Sequence, residues 1–281
     1  MNSFSVLNNI SSLMARNALQ VSGTQLQKTL LRLSTGSRIN SGGDDAAGLA
    51  IADGLRAQVR ALEQASRNAN DGIGFLQVAD GALAEVTNLV TRAVTLAEQS
   101  ATGTVTDTQR AAIQAEFDAI TAEIDRIGSE TTYNGVSLFA GTATDIFVGD
   151  TTSVSKISFT VQSLSAAAIV DGAGGNSTDI DALVLSTQAG AEAALDTLNT
   201  AVANIANQRA TLGAVSNRLE ASIVVIGAQA QNAQAAESQI RDADIAAEMA
   251  SMTKLQILQQ TGMAALATAN QQGQSVLSLF R

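Results

Sequence analysis

Along most of this chain apolar residues recur at steps of three and four, the spacing of one face of an α-helix. In residues 3–33, Leu7, Ile10, Met14 and Val21 fall on one stripe, and Leu19, Leu26, Leu30 and Leu33 on a second beside it. After a Gly/Ser loop at 34–43 the pattern resumes at Leu55 and runs through Val59, Leu62, Ala69, Ile73, Leu76, Leu83, Val90, Val94 and Ala97. Heptad spacing sustained over that length predicts a long coiled-coil seam. Gly72, Gly74 and Gly81 lie inside it. Each weakens a helix interior by roughly 1 kcal/mol relative to Ala, so close packing against a neighbour is expected at all three.

TGTVTDTQ marks a turn, and Thr106 to Gln109 reads as a capping box that opens the next helix. That helix carries Ile113, Phe117, Ile120, Ile124 and Ile127 on one face. Asn134-Gly135 is a turn signal, and the alternation of Ile157, Phe159 and Val161 has the period of a strand. The Ser/Thr/Gly-rich stretch 136–185, with a loop at GAGGNST (172–178), is the only β-like part. Helical spacing returns at Leu198, Val202, Ile205, Leu212, Leu219, Ile223 and Ile226, and continues through Ala230 and Ala233 to Ile240. A last run carries Ile245, Met249, Met252, Leu255, Leu258 and Leu266. The fold class expected is mainly α: a long antiparallel helical coiled-coil bundle with a small central β-hairpin region. Each end has an apolar stripe whose obvious intrachain partner is the other end, and two helices paired alone still expose apolar surface. Such ends stay disordered or assemble with copies of themselves.

Composition narrows the chemistry. The 281 residues are 46% hydrophobic but only 3% aromatic, so the apolar content is Ala, Leu, Ile and Val, which suits thin helical seams. There is no Pro to interrupt a helix. The chain has no His and no Cys, which removes the commonest general base, the nucleophilic thiol and nearly every structural zinc site. No catalytic residue, cofactor or metal is therefore expected. A net charge of −10 argues against a nucleic-acid partner, and no run is long and apolar enough for a membrane span. MNSFSVLNNISSLMARNALQ has neither a basic n-region nor a cleavage site, so a cleaved signal peptide is not expected.

Three features invite sharper readings. Asp44 and Asp45 follow a Gly-rich loop and could be a metal or acid–base pair. Without His, Cys or a further carboxylate close in sequence, the expectation is that both serve the start of the next helix, as N-cap and first-turn acid. Met249, Met252 and Met263 lie at helical spacing and read as packing residues rather than a cofactor or peptide groove. Asn176-Ser177-Thr178 forms a bare glycosylation-type triplet that reads as a turn.

RLSTGSRINSGGDDAAGLAIADGLRAQVRALEQASRNANDGIGFLQVADGALAEV (32–86) resembles the N-terminal region of bacterial flagellin. QRATLGAVSNRLEASI (208–223) and IRDADIAAEMASMTKLQILQQTGMAALATANQQGQSVLSLF (240–280) resemble its C-terminal region. The resemblance covers about 1–140 and 190–281 and leaves only the middle unmatched. It implies a structural subunit, not an enzyme, that polymerises into the extracellular filament of the bacterial flagellum for swimming. Terminal helices would pair as a coiled coil at the filament core, and a helical rod domain would pack outside it. The organisation implied is an N-terminal core helix at 1–41, N-terminal rod helices with a short β/loop region at 42–190, a C-terminal rod helix at 191–241 and a C-terminal core helix at 242–281. With only about 50 residues in the middle, this is a minimal form of core and rod.

On that resemblance the assembly interface of the core helices is expected at Leu7, Ile10, Met14, Leu26, Leu30 and Leu33, and at Ile245, Met249, Met252, Leu255, Leu258 and Leu266. The partners implied are copies of the chain itself, the flagellar export apparatus with its flagellin chaperone at about 240 onward, and the filament cap and hook–filament junction proteins. Arg92, Leu96 and Glu116 match positions through which some flagellins contact the vertebrate flagellin-sensing Toll-like receptor, although Val94 and Thr95 depart from the charged residues those flagellins carry nearby. The Ser/Thr-rich 142–187 matches outer-surface stretches that are O-glycosylated in some flagellins, or is a plain solvated loop. The nearer rival is a hook–filament junction protein, which shares the terminal helices. The farther ones are an enzyme on a flagellin scaffold, whose metalloprotease form needs an HExxH insert, and a free coiled-coil module.

Overall fold

The computed structural model describes residues 9–149, 155–169 and 179–278, with side chains to 271. Helix α1 spans Ile10–Thr35, α2 Ala46–Ala101, α3 Asp107–Glu130, α4 Gln188–Arg241 and α5 Ile245–Ser278. Strands β1 (Thr132–Tyr133), β2 (Val136–Ser137), β3 (Ala143–Phe147) and β4 (Lys156–Thr160) lie between α3 and α4, followed by a single 3-10 turn at Ile180–Ala182. The fold is thus mainly helical, as the spacing predicts. The chain divides into two compact units, one of 60–230 and one of 1–59 with 231–281.

In the 60–230 unit the heptad of α2 is continuous. Leu62, Ala65, Ala69, Gly72, Leu76, Ala79, Leu83, Val86, Val90, Ala93, Ala97 and Ser100 follow one another at steps of three and four, and all are buried. Helix α3 turns back on α2, with Ile113, Phe117, Ile120 and Ile124 inward. Helix α4 answers with Leu198, Ile205, Leu212, Leu219 and Ile226, a strict seven-residue repeat that is buried throughout. It runs antiparallel to α2: Arg209 bonds Asp80 at 2.7 Å, and Leu219 reaches Gly72.

The α2–α3 corner is closed by a buried cation. Arg110 Nε donates to the Ser100 carbonyl at 2.9 Å, and its two terminal nitrogens donate to the carbonyls of Thr102 and Val105 at 3.0 and 2.6 Å. These acceptors have no helical partner beyond the end of α2. Helix α3 starts with the capping box expected at Thr106 and Gln109, the hydroxyl accepting from the Gln109 amide and the Gln109 side chain accepting from the Thr106 amide.

Two hairpins follow. Asn134 and Gly135, both at positive φ (50° and 78°), form the two-residue turn that joins β1 to β2. Strands β3 and β4 pair antiparallel with Ile146 opposite Ile157. Phe75 meets Tyr133 and Phe159 edge to face, with ring centroids at 5.9 and 5.8 Å.

The middle departs from its polar reading. Leu138, Phe139, Val161, Leu164, Ala166, Ile169, Ile180, Leu183 and Leu185 are all buried in the same core as the helices. Asp125 accepts from the Ala166 amide at 2.7 Å, and Gln114 accepts from the Leu185 amide. The described residues of this segment form a wall of the unit rather than a solvated loop. The triplet at 176–178 lies outside the described residues.

The glycine expectation divides. A Cβ at Gly72 would overlap the Ile146 side chain, and one at Gly74 would lie 3.0 Å from the Tyr133 hydroxyl, so close neighbours do account for these two. Gly81 has nothing within 4 Å of such a Cβ, and the packing expected there is absent.

Candidate assembly surface

In the other unit, α1 and α5 pair antiparallel. Asn9 caps α1 through the Ser12 amide at 3.1 Å and donates to the Ala269 carbonyl at 2.8 Å. Ser12 Oγ donates to Asn270 at 2.9 Å, and at the opposite end Arg32 reaches Glu248 at 3.2 Å. Leu19 sits over Gly262, where an added Cβ would meet it at 3.0 Å.

The pairing uses a regular heptad on both helices. On α1 the heptad positions turned from solvent are Ser12, Ala15, Leu19, Ser22, Leu26, Thr29 and Leu33, flanked by Gly23 and Arg32; on α5 they are Glu248, Met252, Leu255, Gln259, Gly262, Leu266 and Ala269. Of these only Thr29 and Leu255 are buried. Part of the seam is small or polar, and large apolar side chains also stand outside it among polar ones. Ile10, Leu13, Met14, Val21, Leu30 and Leu31 of α1 stand 46 to 67% exposed, and Ile245, Met249, Ile257, Leu258 and Met263 of α5 stand 43 to 55% exposed. A self-sufficient helical pair keeps its large apolar side chains within the seam. Apolar surface left exposed on this scale marks an interaction face.

The expected assembly residues therefore separate into two sets. Leu26, Leu33, Met252, Leu255 and Leu266 lie in the seam within the chain, while Ile10, Met14, Leu30, Ile245, Met249 and Leu258 stand exposed. Leu7 lies outside the described residues.

Next to this pair the two connecting segments are clasped. Arg38 donates its amide to the Arg241 carbonyl at 2.6 Å and its guanidinium to the Ile240 carbonyl at 2.8 Å, and Ala243 donates to the Gly36 carbonyl at 2.9 Å. Arg56 and Arg241 pair with Glu237 and Asp53 at 2.7 and 3.4 Å.

Asp45 accepts from the Gly48 amide at 2.9 Å, which is the N-cap geometry for α2. Asp44 has a different job from the one expected. Its carboxylate accepts from the Asn40 and Ser41 amides and the Ser41 hydroxyl, at 3.4, 3.2 and 3.0 Å, and lies 3.6 Å from Lys28. It closes the loop before the helix, because its position one residue ahead of the cap points it back at that loop. The Ser41 hydroxyl bond chiefly holds its pKa below the ordinary carboxylate range.

The cap of α5 was not anticipated: Asp244 accepts from the Ala246 and Ala247 amides at 2.9 and 3.1 Å. The signal was present, since an Asp directly before the first apolar residue of a periodic run is a helix start.

Of the three residues matched to receptor contacts, Arg92 and Glu116 are exposed and paired with each other at 2.6 Å. Leu96 is turned inward and only 2% exposed, so it is no part of the surface the other two present. Among the described residues no group of three or more His, Cys, Asp or Glu could hold a metal ion, and no helix is long and apolar enough to cross a membrane.

Comparison with known proteins matches both ends of the chain. Residues 6–144 match the bacterial flagellin N-terminal helical region, and 195–280 the bacterial flagellin C-terminal helical region. The chain is 41% identical to a 33 kDa flagellar filament core protein of Treponema phagedenis over 285 residues, which covers 97% of this chain and 98% of that one. It is 40% identical to the flagellin of Bacillus subtilis (strain 168) over 301 residues, with the same two coverages. A solved Vibrio parahaemolyticus structure assigned as a flagellar hook-associated protein covers 71% of this chain and 100% of its own, with a TM-score of 0.60; at 18% identity the likeness is one of fold alone.

Proposed function

The chain belongs to the bacterial flagellin family, and on that premise we propose that its paired ends fold fully only when captured by neighbouring copies. The protein is a structural subunit of the flagellar filament, a surface structure made by self-assembly of such subunits. The observation that carries the proposal is the apolar surface left outside the α1–α5 pair, where Ile10, Leu13, Met14, Val21, Leu31, Ile257 and Met263 among others stand exposed beside a seam that is partly small and polar.

Fixing one residue costs about 1–2 kcal/mol of backbone entropy. Burial of apolar area returns roughly 25 cal/mol per Å². With Ser12, Ser22, Gln259 and Gly262 in the seam, pairing within one chain buries little, and the outward set adds nothing until another copy covers it. Folding of the ends is thereby coupled to assembly. Contacts that join one patch to a different patch on the next copy do not close on themselves, so the product is a filament.

In this reading 1–41 and 242–281 are the core helices, and 42–190 with 191–241 form the rod, with the short β/loop region inside it. The role is structural, without a catalytic step. The further partners proposed are the export apparatus, a chaperone at the C-terminal helix from about 240, and the cap and junction proteins at the two ends of the polymer. Export would not involve a cleaved signal peptide. Any receptor contact near Arg92 and Glu116 would be made without Leu96.

Amide exchange on the free subunit and on polymer grown from filament fragments tests the coupling. Amides of 10–35 and 245–278 should exchange freely in the free subunit and become protected in sedimented filaments. Protection of both helices in a subunit that never elongates seeds would overturn it.

A further inference from the structure

All five methionines of the chain, Met1, Met14, Met249, Met252 and Met263, lie in the unit formed by the two ends; the 60–230 unit has none. Met1 lies outside the described residues. The chain has no Cys, His or Trp, and its single Tyr, Tyr133, belongs to the other unit. A two-electron oxidant such as a peroxide therefore finds thioethers as its only ready targets, and finds them only at the ends.

Three of them stand in the open. With α1 and α5 paired, Met14 is still 67%, Met263 55% and Met249 43% exposed, while Met252 is half-buried in the seam. Pairing within the chain does not shield the first three; only another copy laid against the outward face does. We infer that Met14, Met249 and Met263 form an oxidation switch on assembly: a peroxide converts their thioethers to sulfoxides in the free subunit and blocks its addition to the filament, while subunits already built in are protected. The inference rests on the reading of the outward face as the assembly interface.

The chemistry is complete with the peroxide as co-reactant. The sulfur lone pair attacks one peroxide oxygen and the O–O bond breaks. That oxygen stays on sulfur, and the other leaves as water with both protons. Sulfur is oxidised by two electrons and the peroxide is reduced by two. A flexible apolar side chain becomes a polar one with a strong acceptor oxygen. Buried against an apolar neighbour without a donor, each sulfoxide should weaken addition by about tenfold. The change is reversible by methionine sulfoxide reductases, one for each sulfoxide epimer.

The test uses the full-length chain. Free subunit and preformed filament are treated with hydrogen peroxide, sulfoxide at each methionine is measured by peptide mass spectrometry, and treated subunit is added to untreated filament fragments. Met14, Met249 and Met263 should oxidise in the free subunit and at least about tenfold more slowly in the filament. Oxidised subunit should elongate seeds about tenfold or more slowly, and treatment with both reductases should restore the rate. A variant carrying Met14→Leu, Met249→Leu, Met252→Leu and Met263→Leu should elongate at the same rate with and without peroxide. Should that variant fail to elongate, the reductase recovery of the wild-type chain carries the same comparison.

The variant Leu13→Glu separates the two levels of the argument, since it alters the same face without a sulfur. If Leu13→Glu is blocked but fully oxidised wild-type subunit elongates at the untreated rate, the oxidation switch is overturned and the interface stands. If Leu13→Glu elongates normally, the interface reading fails and the switch with it. Equal oxidation in filament and free subunit would overturn the protection half of the inference.

Discussion

At the level of single residues the α2 and α3 glycines show how a residue type means different things in different places. Gly81 is exposed in the interior of α2 with open space around it, while Gly128 in α3 lies so close to the 161–169 segment that a Cβ would overlap the Leu164 carbonyl oxygen. Backbone cannot move aside as a side-chain tip can. Gly81→Ala should therefore stabilise the 60–230 unit by about 0.5–1 kcal/mol through helix propensity. Gly128→Ala should destabilise it by about 1–3 kcal/mol through overpacking. Urea unfolding of the two variants checks this, and two shifts of the same sign would refute the distinction.

Among the elements, α2 and α4 are joined across their polar edge by Asp80 and Arg209. The Arg209 guanidinium donates to both Asp80 oxygens, at 2.7 and 3.1 Å, and these bonds hold the carboxyl below its ordinary range. A depressed carboxylate pKa contributes stability that is present above the unfolded value, near 4, and is lost as pH falls through the folded one. The two side chains are 44 and 39% exposed, so solvent screens the pair and about 0.5 kcal/mol is expected from it. Asp80→Asn should lower the unfolding free energy read from urea titration at neutral pH by that amount, and the difference should vanish in acid below the folded pKa. A difference that persists there would mean packing rather than charge.

The helices themselves were legible because each buries one face at a constant period. Leu62, Leu76 and Leu83 on α2, and Leu198, Leu212 and Leu219 on α4, are where the spacing puts them. The stretch from Val161 to Leu185 was not legible, since its buried residues follow no period and hold their places through bonds such as Asp125 to the Ala166 amide, which no local pattern announces. Arg110 escaped notice for a related reason: a lone Arg reads as surface until the carbonyls it satisfies are brought to it by a corner of the chain. The two stripes on α1 were visible, but which of them pairs within the chain was not. Leu19, Leu26 and Leu33 do so because Gly262, Leu255 and Met252 of α5 lie on the matching face, a fact of two helices rather than of either.

For the whole molecule the consequence is a division of labour between a unit that is complete and a pair of ends that is not. The core of the 60–230 unit is continuous from α2 through the hairpins to α4. Among the described side chains of α1 and α5, to residue 271, only Thr29 and Leu255 are buried. A substitution on the outward face should thus leave the free subunit unchanged and act only on the polymer. Val21 and Leu258, 56 and 45% exposed, are the places to look. In Val21→Asp or Leu258→Asp the new carboxylate meets water in the free subunit, so the urea midpoint of the 60–230 unit and the helical far-UV signal should match the parent. At an interface with the next copy the same charge would lose its water without a partner, at a penalty of several kcal/mol. With 1.4 kcal/mol for each tenfold, the concentration of free subunit in equilibrium with filament should rise by about a hundredfold or more. Sedimentation of seeded polymer over a dilution series measures that concentration directly. If either variant polymerises at the parent concentration, its position is not covered by a neighbour; if both do, the apolar face of the paired ends is not what builds the filament.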